Sequence, residues 1–113
     1  MRTVAHVLVF SLLAGHSAWA DEPDLLDILT EASPLRDQWE RCAASEVRPH
    51  LHSSRPAAAL ADLALKQCRD HQAALRKLLD DRLGKAKAAR VITDLQTTYR
   101  ASLIRVIETR RGN

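Results

Sequence analysis

Apolar side chains recur at three- and four-residue spacing through the second half of the chain, and this period constrains the fold more than any other feature. One stripe lies before Gly84 and a second lies after it. Such spacing places the side chains on one face of an α-helix. The stripes are Ala57, Leu60, Ala64, Cys68, His71, Leu75 and Leu78, and then Ala88, Ile92, Leu95, Tyr99, Leu103 and Val106.

Gly84 leaves two arrangements of these helices open. As the residue after a helix end it would supply a left-handed turn, which gives a three-helix bundle. Inside one long second helix it would cost about 1 kcal/mol, and such a helix would have to dimerise to cover its stripe. No segment has the alternating β-branched pattern of a strand. We therefore predict an all-α fold, a small disulfide-stapled helical hairpin extended by a C-terminal helix.

Residues 1–20 have the three parts of a secretory signal peptide. Arg2 gives the positive start, residues 7–14 form the apolar core, and residues 18–20 read Ala-Trp-Ala, a small-x-small cleavage pattern. The apolar run is too short to span a bilayer. We expect an exported protein, periplasmic or secreted, in which residues 21–113 form a single small helical domain without a transmembrane segment.

The two cysteines, Cys42 and Cys68, are expected to form a structural disulfide. Ser33 and Pro34 are typical of a helix start, and Pro49 predicts the end of that helix. Cys42 then lies on the apolar face of the first helix and Cys68 on that of the next. Two cysteines in a small exported domain are usually bridged. Closing the loop between the two cysteines contributes roughly 3 kcal/mol to the free energy of unfolding.

Charge is distributed unevenly along the chain. Residues 21–33 carry five carboxylates and no Lys or Arg, whereas residues 85–113 carry seven basic side chains and two acidic ones. The basic end could attract the acidic one or meet an anionic surface. Nucleic acid is not expected as a partner, since export removes the opportunity and aromatic side chains for base stacking are scarce.

The C-terminal helix offers a candidate partner-binding surface. Ile104 and Ile107 fall outside the centre of the apolar stripe, and Arg100 and Arg111 lie on the same flank. An apolar surplus near a terminus is typical of a partner or self-association surface. The alternative is that the two isoleucines pack against the apolar residues at positions 25–29.

Candidate chemistry is sparse. His50 and His52 could bind a metal ion together, but a convincing site needs a third and fourth ligand. Asp80 and Asp81 point about 100° apart on a helix and cannot act as a facing acid–base pair. There is no Gly-x-Ser-x-Gly motif and no glycine-rich phosphate loop. We expect no cofactor and no enzymatic activity.

These observations favour a protein that acts by non-catalytic protein–protein interaction in the cell envelope, as an adaptor, an inhibitor or an immunity-type partner. The expected partner is an unidentified envelope protein or a second copy of the chain. The alternative is a periplasmic metal-binding or metal-buffering protein that uses His50 and His52.

Overall fold

The computed structural model of the chain describes residues 22–112, with side chains from residue 25 onward. Within this range the protein has four α-helices, one 3₁₀ turn and no strand, which confirms the all-α prediction. The predicted signal peptide, residues 1–20, lies outside the described residues. The elements are α1 (Glu22–Val47), a 3₁₀ turn (Arg48–His50), α2 (Ala57–Gln67), α3 (Arg69–Leu83) and α4 (Lys85–Gly112).

The chain divides into two compact units at the bond between Glu31 and Ala32. In the first unit the described residues are 22–31, the beginning of α1. There the Thr30 hydroxyl donates a hydrogen bond of 2.9 Å to the carbonyl of Leu26. The single-domain prediction for residues 21–113 stays a prediction.

Helix α1 differs from its predicted start. A new helix was expected at Ser33 and Pro34, but α1 begins at Glu22 and contains Pro34 in its interior. Pro34 has no N–H to donate to the Thr30 carbonyl, which weakens the helix at that turn without ending it. Proline's fixed φ suits a helix, and the nearby Ala32, Leu35 and Arg36 are good helix formers.

Cys68 separates α2 from α3 as a single non-helical residue, with φ −99° and ψ 19°. Its N–H donates to the carbonyls of Ala64 and Leu65, each at 3.2 Å, and its carbonyl accepts from His71 at 3.1 Å. Residues 57–83 are therefore an almost continuous helix. The predicted disulfide to Cys42 is confirmed, with the two Cα atoms 5.9 Å apart.

Gly84 is a turn. Its φ of 86° and ψ of 157° belong to a backbone region that only glycine enters readily. Its N–H donates to the Asp80 carbonyl at the end of α3, and its carbonyl accepts from Ala88 in α4, both at 3.0 Å. Side chains before Gly84 then form hydrogen bonds with side chains after it. Gln72 pairs with Gln96, and Asp62, further from Gly84 along the chain, pairs with Arg100, which is also further from it.

These pairs show that α4 runs antiparallel to α2 and α3, and the disulfide joins α1 to them. Residues 32–112 therefore form a three-helix bundle, and the long-helix alternative is wrong. The core is mostly aliphatic, and its aromatic contact is edge-to-face: the rings of Trp39 and Tyr99 have centroids 4.8 Å apart. The largest fully buried side chains are Trp39, Leu60, Leu75, Ile107 and Cys68.

Replacing Gly84 by alanine should destabilise the bundle by about 1 to 3 kcal/mol, because a Cβ atom strains the positive-φ turn. Chemical denaturation monitored by circular dichroism measures this loss. Gly112→Ala is the matched control, since Gly112 has no positive φ and neither glycine has a neighbour within 4 Å of an added Cβ. Equal unfolding midpoints for the two variants would contradict the turn.

Candidate functional site

An apolar groove of about 430 Å³ lies between α1 and α4. Trp39 contacts Tyr99 near one end, and Val47 and Val106 line the same groove further along, so the two helices run in the same direction. We call this feature the α1/α4 groove. Its lining residues are Glu40, Arg41, Ala43, Ala44, Val47, Tyr99, Ser102, Leu103 and Val106.

Small side chains on α1 open the groove. Ala43 is buried and Ala44 is exposed, and neither reaches far toward α4. Val106 on the opposite side keeps 51% of its surface exposed. The predicted stripe on α4 places Val106 in the core, but the buried residue is Ile107, which is 0% exposed. From Tyr99, Val106 lies only about 20° round the helix and Ile107 about 80°, so the burial of Ile107 reflects how α4 packs against its neighbours and not the helical period.

Tyr99 forms the inner end of the groove. Its hydroxyl and the Trp39 Nε1 are buried, and neither makes a well-aligned hydrogen bond to a described residue. The Arg36 and Glu40 side chains nevertheless lie close enough to the hydroxyl to affect its ionisation. Burial raises the pKa of Tyr99; the Glu40 carboxylate acts in the same direction, and the Arg36 guanidinium opposes both.

Of the residues predicted to bind a partner, Arg100 and Ile104 line one surface depression of α4, whereas Ile107 and Arg111 do not line it. Arg100 is exposed and donates to Asp62 on α2, with Nε 2.7 Å from Oδ1. Ile104 is half-buried, whereas Ile107 belongs to the core. The two isoleucines therefore do not share an exposed face, and Ile107 has no accessible surface with which to contact a partner.

Arg111 joins α4 to the connection between α1 and α2. Its Nε donates to the Leu51 carbonyl at 2.7 Å, and its Nη1 donates to the Arg55 carbonyl at 2.6 Å. The guanidinium therefore satisfies two carbonyls of an irregular segment and stabilises the position of that segment against α4. A role for Arg100, Ile104, Ile107 and Arg111 in partner binding stays a prediction.

The two histidines lie apart from the groove in sequence and are solvent-exposed. His50 ends the 3₁₀ turn and His52 follows in the connection. In residues 22–112 no group of three or more His, Cys, Asp or Glu side chains is placed to hold a metal ion. Both cysteines are used in the disulfide. The metal-binding alternative gains no geometric support from this part of the chain.

The α1/α4 groove was not found from the sequence. The sequence signal was the Ala43-Ala44 pair of small side chains on α1, and this pair does not reveal which part of the chain it faces. No protein-family model matches the chain, and no curated protein and no solved structure proves similar to it. Among the described helices, none combines the length and apolar character required to cross a membrane.

Arg111→Ala should lower the free energy of unfolding by about 2 kcal/mol, because it removes charge-assisted hydrogen bonds to two carbonyls. Urea denaturation gives the value. Arg110→Ala is the control, because this neighbouring arginine is exposed, and it should change stability by less than about 0.5 kcal/mol. Equal losses of stability in the two variants would contradict the structural role of Arg111.

Tyr99 is the one tyrosine of the chain, so phenolate absorbance reports it alone. In the folded protein it should titrate above its ordinary pKa of 10.0, because burial favours the neutral phenol. The folded state then holds this proton more tightly than the unfolded state. The resulting stabilisation is complete below the unfolded pKa and is lost as the pH rises through the folded one.

Tyr99→Phe provides the comparison for this titration. The variant should show no phenolate transition, and its stability should fall less steeply at high pH than that of the wild type. A wild-type titration midpoint at or below 10.0 would contradict the burial of the hydroxyl.

Proposed function

We propose that the protein acts by non-catalytic protein–protein interaction in the cell envelope, as an adaptor, an inhibitor or an immunity-type partner, and that the α1/α4 groove is its binding surface. The observation that carries this proposal is the exposure of Val106. About half of this large apolar side chain (51%) stays exposed on the wall of an apolar groove. Exposed apolar surface of this kind marks sites where another surface binds.

The composition of the groove supports a protein partner. Ala44, Leu103 and Val106 supply accessible apolar surface above the buried Ala43 and Val47. The charged side chains Glu40 and Arg41 also line the groove. An apolar centre with a polar rim is the usual anatomy of a protein interface. An amphipathic helix could place its apolar side chains in such a groove, with anchors at intervals of three or four residues.

The charged residues of the described chain support a non-catalytic role. None of them is fully buried there. Asp80 forms an ion pair with Arg76, with Nε and Oδ1 3.1 Å apart, and Asp81 is exposed. Acid–base catalysis uses titratable groups whose surroundings shift their pKa toward neutral pH. The pKa of Tyr99 is raised, away from neutral pH, so its hydroxyl stays protonated at neutral pH.

The location in the envelope rests on two observations. A disulfide persists in an oxidising compartment, and Cys42 and Cys68 form one. Residues 1–20 have the pattern of a signal peptide. Together they support a periplasmic or secreted protein.

Val106→Glu should reduce capture of envelope partners at least about tenfold, because it places a charge in an interface that is otherwise apolar. The measurement compares proteins cross-linked to the purified variant and to the wild type in the exported fraction, quantified by mass spectrometry. The control is Thr93→Glu, which adds the same charge at an exposed position of the same helix, away from the groove.

Both variants should melt within a few degrees of the wild type, because neither position belongs to the core. Capture that Val106→Glu leaves unchanged would overturn the proposed use of the groove.

A further inference from the structure

Four large hydrophobic side chains are exposed in the described part of the chain. Three of them, Leu25, Leu26 and Leu29, lie in the first turns of α1, and the fourth is Val106 in the α1/α4 groove. Their exposed fractions are 50%, 63%, 45% and 51%. We call residues 22–31 the leucine segment. Leucines grouped in this way need a covering surface, since an exposed apolar cluster favours association.

The leucine segment has the shape that a groove accepts. Leu25 and Leu29 are four residues apart on a helix, so they lie one turn above each other, and Leu26 lies beside them. This spacing is typical of a helix whose anchors enter an apolar groove. In the α1/α4 groove, Ala43 and Ala44 leave room for larger side chains on the incoming helix.

The charges of the two surfaces are complementary. The leucine segment contains acidic side chains, Asp27 among them, and no Lys or Arg. Arg41 lies on α1, Arg48 begins the 3₁₀ turn directly after α1, and Arg110 lies one turn after Val106 on α4. All three arginines are exposed. Because α1 and α4 run in the same direction, Arg48 and Arg110 flank the same end of the groove.

We infer that the occupant of the α1/α4 groove is the leucine segment of a second copy of this chain. The inference rests on the proposed function, since it names the partner of that groove. The leucine segment and the groove belong to different compact units of the chain. Reciprocal docking of each copy's leucine segment on the other's groove gives a closed dimer with twofold symmetry.

The test combines sedimentation with site-specific photo-cross-linking of the oxidised, exported protein. The protein should show a concentration-dependent monomer–dimer equilibrium. A photoreactive phenylalanine derivative replaces Val106, and isotopically light and heavy copies are mixed before irradiation. Cross-links should join position 106 of one copy to residues 25–29 of the other, which mass spectrometry recognises as light–heavy pairs.

Leu29→Glu should raise the dissociation constant of the dimer at least about tenfold. Gln38→Glu is the matched control, because it adds one carboxylate to an exposed position of the same helix and should leave the dimer unchanged. Equal effects of the two substitutions would overturn the inference. So would a monomer at all concentrations, or cross-links confined to single copies.

These failures are separable from failure of the proposed function. If the protein is monomeric but Val106→Glu still reduces capture of an envelope protein, the second copy is the wrong partner and the groove remains the binding surface. If Val106→Glu also leaves capture unchanged, both proposals fail.

Discussion

The covalent bond between Cys42 and Cys68 determines where α1 lies against the rest of the bundle. The segment that leads from α1 to α2 is irregular, and Arg111 holds it through two carbonyls. The disulfide instead fixes α1 at one point along its length, one turn beyond Trp39. Closing the chain between cysteines 26 residues apart contributes roughly 3 kcal/mol, a large part of the 5 to 15 kcal/mol that stabilises a typical domain.

The α1/α4 groove follows from the position at which the disulfide holds α1. With Cys42 held at the junction of α2 and α3, Trp39 meets Tyr99 and the next turn of α1 presents Ala43 and Ala44 to α4. On α4, Ile107 lies in the core and Val106 lies outside it. The groove is thus the space between two small side chains and a valine that the core does not accommodate.

Much of the fold could be predicted from the sequence because its signals are local or covalent. The helical period gives the class, Gly84 is the residue that a left-handed turn needs, and the two cysteines have one possible pairing. The site could not be predicted in the same way. Which of Val106 and Ile107 is buried depends on how α4 is rotated against its neighbours. Arg111 donates to backbone carbonyls, and because every residue has one, the sequence does not indicate which carbonyls it contacts.

The most direct test of this account is hydrogen–deuterium exchange of the oxidised and the reduced protein under native conditions. If the disulfide holds α1 in place, reduction should remove the protection of amides in residues 35–47, while amides of α3 and α4 on both sides of Gly84 keep theirs. Unchanged protection of α1 after reduction would show that packing of Trp39 alone holds the helix, and would contradict the account.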